Sequence, residues 1–311
     1  MTRAPRVIFF GTPEFAAYIL EYLAKNNVNV VAAVTTPEKA QGRGLKTRSS
    51  AMQDKAKELG LPVLAPEKIR DAEFIEALKK YDADIFCVVA YKILPKEVFT
   101  MPRLGTFNVH TSLLPKYRGA APMQRALMNG ETETGITTFL LDDKIDTGGI
   151  LLQEKTAITE DETLGELHDD LMKLGATLAL ETIRGLAAGT LKPKPQDNTL
   201  ATPAPKIMPE DCILDFNKPS EKVHNQIRSL SPVPGVTHKL ISGEKIKIFR
   251  SRVVRNNPDL FLEPGVVLFA NFKNLYIGTL TEPIEILELQ REGKKRMTAE
   301  EFLRGSKYFL K

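Results

Sequence analysis

The sequence predicts a doubly wound α/β domain followed by a small antiparallel β barrel. Short β-branched apolar runs alternate with amphipathic helical stretches through the first 190 residues of a 311-residue chain. A proline-rich break follows near residue 200. Strand-like segments then crowd into the last part at regular spacing, as in small barrels.

Arg6–Phe10 reads as the first strand. A helix runs from Pro13 to about Lys25, with Pro13 in its first turn and Thr12 as cap. Val28–Val34 is a second strand, Ser49–Leu59 a second helix and Asp84–Val89 a further strand. Such unbroken apolar strands belong to a parallel sheet covered on both faces. A strand at Gly135–Leu141 leads into a turn rich in Asp and Gly, and a helix from Thr163 to about Ala188 closes the domain. Leu191–Lys206 is rich in proline and lacks periodic apolar residues, so it reads as an extended linker. The expected domains are therefore 1–190 and 207–311, joined by 191–206. In the second, a helix at Ser220–Leu230 precedes strands at Val236–Ile241, Lys245–Val254, Gly265–Ala270, Asn274–Thr279 and Pro283–Leu289. A five-stranded OB-like barrel is the expected form.

Hydrophobic residues at 42% and charged residues at 26% are ordinary for a globular protein. The longest apolar runs fall well short of the ~20 residues of a membrane-spanning helix. The first strand begins almost at Met1, so no leader is expected and a cytoplasmic location is. Cys87 and Cys212 lie far apart in apolar surroundings, which suggests neither a disulfide nor a metal site. Charge is divided unevenly. Residues 206–311 carry 18 Lys and Arg against 13 Asp and Glu, a net +5, whereas 1–205 carry 25 against 26.

"VIFFGTPEFA" has only Gly11 where a dinucleotide fingerprint needs three glycines, which excludes that cofactor class. "TFNVHTSLLP" is more informative. Alternation puts Asn108 and His110 on one face near the end of a strand that should be apolar on both, and open α/β sheets bind ligands at that end. Asp142, Asp143 and Asp146 follow in the Asp/Gly turn, and any of them is a candidate to orient an active-site imidazole. Ser112 lacks the G-x-S-x-G elbow of a hydrolase. Two donors and a carboxylate without a nucleophile suit acyl transfer to a substrate that brings its own. The sixteen residues Thr35–Ser50 form a long connection bearing Lys39, Arg43, Lys46 and Arg48, with Gly42 and Gly44 beside Arg43, a composition suited to phosphates.

With these segments in view, "FFGTPEFA", "QGRGLKTRSS", "ADIFCVVAYKILP", "NVHTSLLPKYRG", "LLDDKIDTGGIL" and "RSLSPVPG" together resemble the methionyl-tRNA formyltransferase family over essentially the whole chain. The resemblance implies a Rossmann-like formyltransferase domain and a C-terminal tRNA-binding domain. It implies 10-formyltetrahydrofolate as formyl donor, initiator methionyl-tRNA as acceptor, no metal, and a monomer. A formyltransferase acting on an amino-sugar nucleotide is the alternative. Carried over position by position, Asn108 and protonated His110 would donate to the oxyanion and Asp146 would support His110 and take up the proton. Ser112, Leu113, Leu114 and Pro115 would line the folate, opposite a wall formed by backbone from Phe86 to Tyr91, including Val89. Arg43, Lys46 and Arg48 would meet the tRNA.

Overall fold

The computed structural model describes residues 3–41, 46–240, 243–255, 257, 260–270 and 273–305. The chain forms two compact units, each assembled from separate stretches. The first comprises Met1–Gly119, Thr134–Thr156 and Asp169–Pro203; the second comprises Ala120–Glu133, Ala157–His168 and Ala204–Lys311.

In chain order the strands and helices begin with β1 (Val7–Gly11), α1 (Glu14–Lys25), β2 (Val30–Val34), β3 (Lys39–Gln41), β4 (Lys46–Arg48), α2 (Ala51–Glu58), β5 (Val63–Leu64), α3 (Ala72–Lys80), β6 (Ile85–Val89), α4 (Lys96–Phe99) and β7 (Thr106–His110). They continue with β8 (Arg118–Gly119), α5 (Pro122–Asn129), β9 (Glu133–Leu140), β10 (Ile150–Ala157), α6 (Leu164–Ala188), β11 (Pro203–Ala204) and α7 (Ser220–Ser229). Last come β12 (Val236–Lys239), β13 (Lys245–Val253), β14 (Val267–Ala270), β15 (Asn274–Ile277), β16 (Ile284–Arg291), β17 (Arg296–Thr298) and α8 (Ala299–Gly305).

The first unit is built on a seven-stranded sheet in the order β10-β9-β7-β6-β1-β2-β5. β5, β2, β1, β6 and β7 are parallel, and β9 runs antiparallel to β7. Ile8, Phe10, Ala32, Val34, Phe86 and Val88 form one face of its core, against Phe74, Leu78 and Val98. On the other face Val109 lies beside Phe15, Ile19 and Gly175 of the helices. The unbroken apolar strands are thus covered on both sides, as their composition requires.

The stretch read as a linker is fixed along this first unit as far as Pro203. Lys194 and Ile150 exchange backbone hydrogen bonds, each 2.8 Å, and the Arg118 amide donates to the Thr202 carbonyl. Proline removes donors but leaves every carbonyl free, so an extended proline-rich strand still packs where side chains and edges supply the donors.

The second unit has an antiparallel sheet in the order β12-β13-β16-β15-β14, with β17 paired to β16. β17 and α8 were not anticipated; they follow a charged turn that reads as loop. Val223, Ile227, Ile246, Ile248, Ile284, Ile286 and Phe302 form the core, and Met128 of α5 packs against it. Residues 120–133 and 157–168 therefore fold with the C-terminal sequence. Arg125 explains the first: its two Nη atoms reach the Asp211 carboxylate at 3.1 and 2.8 Å, and it also donates to the Pro205 and Lys206 carbonyls.

Glu166 shows how the second is secured. Its carboxylate accepts from the Thr163 amide (2.9 Å), closing a capping box at the start of α6, and pairs with Arg250. Burial alone would push this carboxyl up; the Thr163 amide and the Arg250 guanidinium outweigh it and bring it down to about 2 from an ordinary 4.5. A carboxyl depressed on folding stabilises above its ordinary range and stops doing so as pH falls toward its folded value. Glu166→Gln should thus lower Tm at neutral pH, and the gap to the unmodified protein should close as pH falls from 4.5 to about 2. Thermal melts across that range test this, and a pH-independent gap would disprove it.

Among the described residues no helix is long and apolar enough to cross a membrane.

Candidate active site

From β1 the chain winds outward through β2 and β5, then returns to β6 and winds the other way through β7. A crevice opens at such a switch, outside the carboxyl ends of the central strands. Gly11 and Val89 pair at this edge. A Cβ on Gly11 would lie 2.4 Å from that of Ala16 and 3.1 Å from the Val89 carbonyl oxygen. The lone glycine is thus required for close packing of strand on helix. The Tyr91 hydroxyl donates to the Thr35 carbonyl (3.3 Å), and burial pushes its phenol up to about 12, so it remains a donor at neutral pH.

β7 delivers Asn108 and His110 to the same edge. Asn108 is half-buried and pairs in register with Val88 and Phe139. His110 is 6% exposed, its ring edge-on to Phe139 at 6.3 Å. Its Nε2 lies 2.9 Å from the Tyr117 carbonyl oxygen. A carbonyl only accepts, so Nε2 carries a proton and donates. The other ring nitrogen, Nδ1, faces Asp146 Oδ2 at 3.8 Å, beyond hydrogen-bond distance. Of the three turn carboxylates, the structure thus singles out Asp146. Asp142 is occupied by Thr147, and Asp143 by Lys96.

Asp146 adopts a left-handed backbone (φ 55°), which Asp tolerates better than most residues. Its Oδ2 accepts from the Gly119 amide at 2.8 Å. Gly148 permits the turn: a Cβ there would come within 1.7 Å of the Leu140 carbonyl oxygen.

The "SLLP" segment is held from behind. Thr137 Oγ1 donates to the Ser112 carbonyl (2.6 Å) and accepts from the Leu114 amide (3.1 Å), while Gln153 donates to the Leu114 carbonyl (2.7 Å). The Ser112 hydroxyl, fully buried, donates to the Lys116 carbonyl (2.7 Å) and is occupied in shaping the turn. Phe86 is 2% exposed, its ring 5.1 Å from that of Phe10 and its amide bonded to Gly105. Leu114 and Val89 are also buried, whereas Leu113, Pro115 and Tyr91 keep accessible surface.

Within the basic 35–50 connection β3 and β4 pair antiparallel, with Lys39 opposite Arg48 and Gln41 opposite Lys46. Lys46 and Arg48 are thus strand residues, and Arg43 lies outside the described residues. Sequence reasoning missed Tyr117, Thr137, Gln153 and Gln196, which act through main-chain groups and leave no motif.

A doubly wound sheet with an amide, an imidazole and a carboxylate at its carboxyl edge defines an α/β group-transfer enzyme. The sequence model of the formyl transferase family matches residues 5–183, and that of the formyl transferase C-terminal domain matches 206–307. The chain is 42% identical to the methionyl-tRNA formyltransferase of Bacteroides thetaiotaomicron and 43% to that of Porphyromonas gingivalis, each over 96% of this chain and 95% of the other. The chain belongs to the methionyl-tRNA formyltransferase family. Among solved structures, the sugar 3N-formyl transferase WlaRD superposes with a TM-score of 0.67 at 21% identity, over 94% of this chain and 100% of that one. HypX from Aquifex aeolicus does so at 0.68 and 17% identity, over 99% of this chain and 49% of its own. WlaRD was solved in the presence of dTDP and 5-N-formyl-THF, and a further HypX structure (TM-score 0.65, 17% identity, 99% of this chain and 48% of its own) in complex with tetrahydrofolic acid. These likenesses are of fold.

Proposed function

We propose that the protein transfers the formyl group of 10-formyltetrahydrofolate to the free α-amino group of initiator methionyl-tRNA. The carrying observation is the 42% identity over both domains to proteins of that name. The excess charge of 206–311 supports a nucleic-acid acceptor, since a positive domain attracts phosphates. In this reading 1–190 performs the chemistry and 207–311, with Lys46, Arg48 and Arg43, holds the tRNA. The enzyme works as a cytoplasmic monomer and uses no metal.

The acceptor amine must be neutral to attack, and with a reference pKa of ~8 a useful fraction is so near neutrality. A bond forms from the amine nitrogen to the formyl carbon and an oxyanion develops. The Asn108 amide donates to it, with His110 through Nδ1, because Nε2 is occupied by Tyr117. Asp146 takes the proton lost by the amine, directly or through water. The bond to N10 then breaks, N10 is protonated and tetrahydrofolate leaves. Leu113, Pro115 and Tyr91 supply the accessible wall of the folate site, with Ser112, Leu114 and the backbone from Phe86 to Val89 completing it.

The deciding experiment is transfer of labelled formyl from 10-formyltetrahydrofolate to charged initiator tRNA, compared with an amino-sugar nucleotide. Label on the aminoacyl ester is expected. Label on the sugar alone would replace this reading with the alternative.

A further inference from the structure

We infer that Gln196, together with Arg118, is a positioning residue that holds Asp146 in its working geometry; this rests on the catalytic reading of Asp146 above. Gln196 lies in the proline-rich stretch, 50 residues from Asp146 in sequence. Its Nε2 donates to the Asp146 carbonyl at 2.9 Å and to the Gly148 carbonyl at 2.8 Å. An amide nitrogen has two hydrogens, so both bonds form at once. Its Oε1 accepts from Arg118 Nε (3.1 Å) and Nη2 (2.7 Å). The carboxamide orientation is fixed by these partners, since carbonyls only accept and a guanidinium only donates.

Arg118 is itself fastened. Nη2 also reaches Asn198 Oδ1 at 2.8 Å, and its amide donates to the Thr202 carbonyl. The next residue, Gly119, donates its amide to Asp146 Oδ2. The Arg118–Gly119 dipeptide therefore grips Asp146 twice: directly at the carboxylate, and through Gln196 at the backbone on either side of Thr147. This clamp suits a residue held at positive φ, a conformation that persists only where surroundings over-determine it. Neighbouring Asp142 and Asp143 have no such bonds from the proline-rich stretch among the described residues.

Gln196→Glu separates this role from a purely structural one. It keeps an acceptor for Arg118 but replaces both donations to the loop by a carboxylate facing two carbonyl oxygens. In the full-length protein we expect kcat to fall on the order of 100-fold, the loss a misplacement of about 1 Å produces, with KM for folate near the unmodified value. Gln196→Ala, which adds no charge, should lose kcat similarly. Combined with Asp146→Asn, either change should have little further effect, because groups that act as a unit lose together. Unmodified kcat in Q196E and Q196A, or losses that add to that of D146N, would overturn the positioning role. Unmodified kcat in D146N would instead overturn the catalytic reading itself.

Discussion

Replacing His110 with alanine should lower kcat for formyl transfer about 100- to 1,000-fold, the loss typical of removing one preorganised oxyanion donor. Binding of folate, measured alongside turnover, should change little, because the proposed folate wall at Leu113, Pro115 and Tyr91 is untouched. The ring is fixed by its bond to the Tyr117 carbonyl and its edge contact with Phe139, so it reaches the transition state without reorganising. That commitment leaves Nδ1 as the nitrogen for the oxyanion in the proposed mechanism. A fall of only a few-fold would move the stabilisation of charge to another group and sink the role given to His110.

Arg228→Ala should cost about 3 kcal/mol of stability, read as a lower Tm and a lower denaturant midpoint. Arg228 is only 5% exposed, and burial pulls its pKa below the usual guanidinium value against the pull of Glu162 and Asp161. Nε donates to Asn225 at 2.7 Å, and Nη1 donates to the carbonyls of Thr159 and Glu162 at 3.1 and 3.2 Å. Alanine would leave these acceptors without partners in a poorly solvated place and open a cavity. Lysine should not restore the loss, since one ammonium cannot reproduce a planar fork that reaches in several directions. An Arg228→Ala protein as stable as the original would show that water replaces the guanidinium.

What could be read in advance follows physical scale. Buried parallel strands announce themselves as unbroken apolar runs, so β1, β2 and β6 lie close to where the sequence puts them. Asn108 and His110 stand out for the same reason, as polar exceptions in an apolar pattern. Gln196 has no such contrast: an isolated polar residue among prolines looks like solvent-exposed linker until its partners at Asp146 and Arg118 come into view. Arg118 owes its place to the same contacts, which no pattern in the sequence announces. The β3–β4 pair within 35–50 escaped because its strands are three residues each, too short for any period to register.

The interleaving of the two units has a consequence for biosynthesis. On the ribosome, Ala120–Glu133 and Ala157–His168 emerge long before the strands they join, which begin only after Ala204. Met128 is made before the C-terminal apolar cluster it packs against, and Arg125 before Asp211. These stretches must wait, exposed, while nascent chain accumulates. Premature termination near residue 206 would release a polypeptide with two orphaned inserts, a ready client for chaperones and proteases rather than a working half-enzyme.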